Sequence, residues 1–209
     1  MSKNKMSTEE KIVSKALEMF NERGIEYVGL REIAATLDMR VGNITYYFPT
    51  KDDLVNRLSL DLNRLNAEIV IDEVNLSLSK FLNILNQVFH NHVKYRCLLL
   101  SFVHLLDQNK LIAARYESTQ KDRNAVLKKN MNSLVESGFL KFNEETQIEY
   151  IVSMMALIIR FWLSEANVSF KHLSSEKQIQ HYLNLVGQLL MPYCTAKGKK
   201  EISIYLGTI

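Results

Sequence analysis

The stretch LREIAATLDMRVGNITYYF, residues Leu30 to Phe48, decides how the chain is read. A helix-turn-helix is a short helix, a three-residue turn and a second helix crossing at a steep angle, so certain positions must be small or apolar. With the first helix starting at Leu30, Ile33 and Leu37 fall one turn apart on the inward side, and Ala34 lies where the second helix comes close. The turn covers Asp38 to Arg40, with Met39 directed inward. Ile44 and Tyr47 then continue the buried face of a helix over residues 41–48. Every position that this packing needs apolar or small is filled. Asp38 stands where the backbone is usually left-handed, a region that Asp and Asn tolerate best after glycine. Pro49 ends the second helix, and Phe48 before it is read as core. Thr50 is placed to cap another helix, with Asp52 and Asp53 in its first turn, where the dipole favours acids.

Working outward, Ile12, Val13, Ala16, Leu17 and Phe20 form one stripe of a helix expected over residues 8–23. Ser7 with Glu10 makes a capping box at its start, and Gly24 closes its end. The whole chain has 209 residues, 47% of them apolar and 23% charged, which describes one or two soluble globular domains. Only 7 glycines and 2 prolines interrupt it, and apolar residues recur at three and four, so the fold class is all-α. The longest apolar run, Ile151 to Leu163, is broken by Ser153 and Arg160 and is shorter than the roughly 20 residues that span a bilayer. No membrane partner is expected. The basic N-terminus has no apolar run behind it and is not a secretory signal. Cys97 and Cys194 lie far apart and form no CxxC pair, which fits a reducing cytoplasm and structural roles.

Residues 24–54, GIEYVGLREIAATLDMRVGNITYYFPTKDDL, resemble the DNA-binding signature of TetR-type transcriptional regulators. The resemblance covers about residues 8–55. It rests on the first helix, the Ile33–Ala34 pair, Gly42, the aromatic cluster before Pro49, and Lys51 followed by acids and Leu54. It implies a helix-turn-helix DNA-binding domain over 1–55, with a C-terminal helical ligand-binding and dimerisation domain over 56–209. The implied function is sequence-specific regulation of transcription: a cytoplasmic homodimeric repressor, released from a palindromic operator on double-stranded DNA by a small-molecule effector. Alternatives are a constitutive or activating regulator without a ligand, and a helical protein-interaction module.

Carried over position by position, the resemblance implies DNA contacts from Arg31, Arg40, Val41, Gly42, Asn43, Thr45, Tyr46, Tyr47 and Lys51. The N-terminal half of the second helix enters the major groove in this motif. Arg pairs bidentately with guanine and Asn with adenine, so Arg40 and Asn43 carry the most sequence information. Val41 and Thr45 suit thymine methyl groups, and Gly42 permits close approach. Tyr46, Tyr47 and Lys51 match phosphate-contacting positions, which orient without reading sequence. For Tyr47 a buried ring with its hydroxyl toward the DNA backbone is expected. The chain departs from the family pattern at Arg40, in place of a small hydroxyl residue, at Gly29, in place of a capping hydroxyl, and at Thr45, in place of a frequent tyrosine. Residues 1–55 hold 8 Lys and Arg against 9 Asp and Glu, so the electrostatic footprint on DNA is local and its salt dependence shallow.

Beyond residue 56 helices are expected over 52–71, 77–95, 96–107, 110–137, 144–166 and 175–192. Gly138 ends one of these, and Asn143 caps the next. In EYIVSMMALIIRFWL apolar residues cover nearly the whole circumference, and Ile179, Tyr182, Leu183, Val186, Leu189 and Leu190 form a stripe on the last long helix. The resemblance implies that these last two long helices form a four-helix dimer interface. Phe89, His92, Phe102, Tyr116, Met155 and Trp162, bulky or amphipathic residues on inward faces, are the pocket candidates. Ordinary core packing is the competing reading for each.

His90 to His92 spell "HNH", yet helical residues two apart point about 200° apart and cannot share one ion. No phosphate-cradling loop, nucleophile elbow or H-E-x-x-H motif is present, so no enzyme, metal or cofactor is expected. The tail AKGKKEISIYLGTI suggests either a strand-like arm or a partly ordered end.

Overall fold

The computed structural model describes residues 6–69 and 76–207. Among these residues the chain is all-α, with eleven α-helices, a 3-10 turn at Met191–Tyr193 and no strand. The helices divide into two compact units, Met1–Leu65 with Tyr95–Arg115, and Asn66–Lys94 with Tyr116–Ile209.

The first unit holds α1 (Thr8–Arg23), α2 (Leu30–Thr36), α3 (Val41–Tyr47) and most of α4 (Lys51–Ala67). The expected box at α1 is made from both sides: Ser7 N donates to Glu10 Oε2 at 2.8 Å, and Glu10 N to Ser7 Oγ at 3.2 Å. At α2 only the returning half forms, because Gly29 has no side chain; Gly29 N donates to Glu32 Oε2 at 3.1 Å. Glu32 also pairs with Arg23 at 3.0 Å, tying the end of α1 to the start of α2. Thr50 caps α4, with Asp53 N donating to its hydroxyl at 3.2 Å and Asp53 Oδ2 accepting from the Thr50 hydroxyl at 2.7 Å. Arg57 on α4 reaches both Glu9 and Asp61.

This unit also takes in α6 (Arg96–Leu100), α7 (Phe102–Gln108) and the start of α8 (Lys110–Glu136). The single helix expected over 96–107 is broken at Ser101, whose backbone sits at φ −94°, ψ 14°. Asn side chains stitch this segment in place. Cys97 N donates to Asn21 Oδ1 at 3.0 Å, Asn109 Nδ2 to the Asp52 carbonyl at 3.3 Å, and Arg115 to Asn56 Oδ1 at 2.8 Å. Asn109 also caps α8 by accepting from Ile112 N at 3.0 Å. Burial pushes the Cys97 thiol up to about 12, which keeps it protonated and a poor nucleophile.

The second unit contains α5 (Leu78–Lys94), the rest of α8, α9 (Glu145–Ser169), α10 (Ser175–Leu190) and α11 (Ala196–Tyr205). The expected end of the helix after Pro49, at Ile71, lies outside the described residues, as do residues 208–209 of the tail. Asn143 does not cap α9. Glu144 occupies that position with extended backbone, and Asn143 N donates instead to Gln147 Oε1 at 2.9 Å. By length and composition alone α9 could cross a bilayer, and 33% of its most apolar window is buried; its buried residues are Ile148, Ile151, Val152, Met155, Trp162, Leu163 and Ala166.

The tail forms neither an arm nor a strand among its described residues. Thr195 caps α11 through Gly198 N at 3.2 Å, and packing overrides the β-branched alternation. Ile202 is fully buried, and Glu201 accepts from Leu78 N at 3.1 Å and from Ser79 Oγ at 2.6 Å, so α11 caps α5. Gly198 is obligatory for this fit, since a Cβ there would stand 2.2 Å from the Phe139 carbonyl oxygen.

Candidate nucleic-acid interface and interior cluster

The turn between α2 and α3 is a Schellman closure. Met39 N donates to the Ala34 carbonyl at 2.9 Å and Asp38 N to the Ala35 carbonyl at 3.1 Å. This places Asp38 at φ 52°, the only positive φ outside glycine among the described residues. Ile33, Ala34, Ile44 and Phe48 are buried, as the packing rules require, while Leu37 and Met39 are half-buried.

Around buried Ile44, the remainder of α3 faces outward. Arg40 at the N-cap, Val41, Gly42, Asn43, Thr45 and Tyr46 are all exposed, and no atom lies within 4 Å of where a Gly42 Cβ would be. The Thr45 hydroxyl is taken up by the Gly42 carbonyl at 3.3 Å. Arg31 is exposed in the first turn of α2. Lys51 is half-buried and donates to the Ile25 carbonyl at 2.9 Å, so one of its three N–H donors is already held by the unit. Tyr47 differs from the expectation of a buried ring. It is 39% exposed and stands edge-on to Tyr46, centroids 5.0 Å apart at 89°. Seven residues make fewer than two turns, too few for α3 to bury residues on both sides of Ile44.

Of the pocket candidates, Phe89, His92, Met155 and Trp162 are buried in the second unit and Tyr116 is half-buried there; Phe102 belongs to α7 in the first unit. Trp162 gathers an aromatic cluster, with Phe89 at 4.8 Å, Tyr182 at 5.4 Å and His92 stacked at 6.5 Å between centroids. Trp162 Nε1 donates to His92 Nδ1 at 3.1 Å. Burial, with a smaller push from Arg123, drives the His92 pKa down to about 4, so the ring is neutral near pH 7. An indole N–H can only donate, so Nδ1 is the acceptor and the ring proton is assigned to Nε2. Two guanidiniums stand over the Tyr116 ring, Arg123 at 5.6 Å and Arg160 at 5.5 Å from its centroid. Of the other residues here, Tyr182 belongs to the apolar stripe of the last long helix and Arg160 breaks an apolar run, while the pattern does not single out Arg123. The available signal was the seven-residue spacing of Tyr116 and Arg123, which sets both on one face of α8. His90 Nδ1 lies 2.8 Å from the Asn86 carbonyl, and no metal-ligating cluster occurs among the described residues.

A helix-turn-helix whose second helix presents an exposed face is the arrangement of a DNA-binding regulator. Profiles of known families agree: one described as "Bacterial regulatory proteins, tetR family" matches residues 12–58, and one described as "Bacterial transcriptional repressor" matches residues 63–202. The chain belongs to the TetR family and is a transcriptional regulator of that family.

Over 54 residues it is 41% identical to the probable HTH-type transcriptional regulator YttP of Bacillus subtilis (strain 168). That match spans 26% of this chain and 26% of the relative, so it covers about a quarter of the relative's length. Among solved structures, a TetR-family transcriptional regulator from Marinobacter aquaeolei VT8 superposes with a TM-score of 0.88 at 21% identity, over 97% of this chain and 98% of that one. The SmeT–triclosan complex gives a TM-score of 0.63 at 13% identity, covering 90% and 92% of the two chains. A putative regulator from Saccharomonospora viridis in complex with choline gives 0.63 at 15% identity, covering 84% and 93%. At these identities the structural likenesses speak for the fold.

Proposed function

We propose that the protein is a cytoplasmic homodimeric repressor that holds a palindromic operator through α3 and is released from it by a small-molecule effector. The observation that carries the reading is the outward face of α3. Arg40, Val41, Gly42, Asn43, Thr45 and Tyr46 are all exposed around the single buried Ile44. In a helix-turn-helix this is the face that meets base edges. Arg40 and Asn43 read bases, Val41 and Thr45 meet thymine methyl groups, and Gly42 permits close approach. Arg31, Tyr46, Tyr47 and Lys51 fix register on phosphates. In this reading residues 1–55 bind DNA and 56–209 carry the effector and dimer functions.

Dimerisation through α9 and α10 is supported by what those helices leave uncovered. On α10 Ile179, Tyr182, Leu183, Val186 and Leu190 are already buried inside the unit. Tyr150, Met154, Leu157 and Val168 on α9 and Leu185 on α10 are exposed, and these would meet a second copy. A two-fold dimer reads two half-sites, so the operator is palindromic. Release requires an effector that binds the non-DNA state more tightly. Phe89, His92, Tyr116, Met155 and Trp162 are its contacts within the second unit, with Phe102 assigned from the sequence pattern. Two proteins of similar fold, SmeT and the Saccharomonospora viridis regulator, are in complex with triclosan and choline respectively. Selection of bound sequences from random duplex oligonucleotides tests the reading. A palindromic site is expected, and failure to enrich any sequence would overturn it.

A further inference from the structure

The loop between α1 and α2 carries one side chain that the core does not use. Ile25 and Val28 are 4% and 1% exposed and anchor the loop, whereas Tyr27 between them is 75% exposed. The backbone that carries it is fastened at three points. Arg23 donates to the Tyr27 carbonyl at 3.3 Å, and Lys51 to the Ile25 carbonyl at 2.9 Å. Against a partial burial that would raise it, the Glu26 carboxyl is held below its usual range by its own backbone amide and by the Ser101 hydroxyl. One edge of the Tyr27 ring lies over Gly24, where an added Cβ would meet Tyr27 Cδ2 at 3.2 Å. The hydroxyl itself makes no hydrogen bond among the described residues. A fixed loop thus presents a phenol whose donor is unused.

The loop runs from Ile25, held against the first residue of α4, to Arg31 in the first turn of α2. Lys51 and Arg31 are both assigned to phosphates above. A duplex strand carries one phosphate per roughly 3.4 Å of its axis, so a backbone held at Lys51 and at Arg31 passes the residue between them. The charge balance says which kind of donor is needed there. Residues 1–55 hold 8 Lys and Arg against 9 Asp and Glu, and Lys15 and Arg23 are already paired with Glu18 and Glu32. Such a surface gains little from counterion release and has to hold a polyanion through neutral donors. Of the four tyrosines in the first unit, Tyr27, Tyr46 and Tyr47 are exposed and only Tyr95 is buried.

We propose that Tyr27 is a further DNA-backbone contact, its hydroxyl donating to a phosphate oxygen between those held by Lys51 and Arg31. With Tyr46 and Tyr47 it makes a grip of neutral hydroxyls rather than of cations. The assignment deepens the DNA-binding reading and rests on it. A phenol at phosphate adds affinity without adding a released counterion, and it favours no base.

Fluorescence anisotropy of labelled duplexes tests this on the full-length protein, with the selected operator and an unrelated sequence each titrated over a range of salt. Tyr27→Phe removes only the exposed hydroxyl and is expected to keep the melting temperature. It should weaken both duplexes alike, by about two- to tenfold, the worth of one neutral hydrogen bond. The slope of log affinity against log salt should stay as it was, whereas Arg31→Gln should make that slope shallower by about one. Unchanged affinity in Tyr27→Phe overturns the assignment, and so does a loss confined to the operator, which would mean base reading. A shallower slope in Tyr27→Phe overturns the neutral grip. The double variant Arg40→Ala, Asn43→Ala separates the two failures. If it weakens the operator while Tyr27→Phe does not, only the Tyr27 contact falls; if it leaves the operator bound as before, the reading of α3 falls with it.

Discussion

Trp162 and His92, 70 residues apart in sequence, are joined by an indole N–H donated to an imidazole nitrogen at 3.1 Å. Because burial holds the folded His92 near 4 while an unfolded histidine titrates near 6.5, the unfolded chain takes up a proton between those values and the folded one does not. Stability is therefore full above pH 6.5 and falls as pH drops toward 4, by up to roughly 3 kcal/mol from this residue. Urea titrations at pH 7 and pH 4.5, read by Trp162 emission, check it. His92→Asn is expected to be less stable at pH 7 and to show a shallower loss on acidification; an equal loss in both proteins would place the effect elsewhere.

Asp38 is the one described non-glycine residue at positive φ, at the Schellman closure before α3. Asp38→Gly and Asp38→Asn are expected to keep the melting temperature within a few degrees. Asp38→Ala removes the side chain that tolerates this conformation and is expected to cost about 1 kcal/mol. Calorimetry distinguishes the three.

Gly42 separates stability from recognition. Nothing lies within 4 Å of a Cβ added there, so Gly42→Ala is expected to stabilise α3 by about 0.5–1 kcal/mol. The same methyl stands on the face assigned to DNA, so operator affinity should fall as the melting temperature rises. A variant that binds operator unchanged would move the interface away from Gly42.

Replacing Arg40 or Asn43 with Ala is expected to weaken the selected operator by about 1–3 kcal/mol each, selectively at one or two base positions. Tyr46→Ala should weaken all sequences alike. Lys51→Ala should lower stability as well as affinity, because Lys51 also holds the Ile25 carbonyl. Binding curves over single-base operator variants, with circular dichroism as the folding control, read all four.

Gly198→Ala pushes a methyl against the Phe139 backbone at 2.2 Å, whereas a Cβ at Gly187 meets the movable end of Leu206 at 2.7 Å. The first change is expected to cost about 1–3 kcal/mol. The second should be near neutral, the gain in helix propensity offsetting the contact. Thermal unfolding of the two variants side by side measures the contrast.

The helix-turn-helix was legible because its constraints are local: Ile33, Ala34, Asp38 and Ile44 fall within a dozen residues and each fills a sterically defined place. Tyr47 was misread because the apolar period was continued to the last residue of a helix too short to bury it. The packing of Tyr95–Arg115 with the first unit depends on Asn21, Asn56 and Asn109, whose bonds join residues 57 to 76 positions apart. No local pattern announces such pairs. In the tail, β-branched residues pointed away from a helix, yet Thr195 starts one and buried Ile202 anchors it. At the interior cluster the ring-bearing residues were visible as bulky inward positions, while Arg160 read only as an interruption of an apolar run.

The contact between Glu201 and the start of α5 has a consequence for the order of events during synthesis. The amide of Leu78 finds its partner 123 residues later, so the second unit cannot complete its packing until the ribosome has made α11. The turn between α2 and α3 closes within its own neighbourhood. Helix α3 is thus in place on the nascent chain well before the unit proposed to control DNA binding exists.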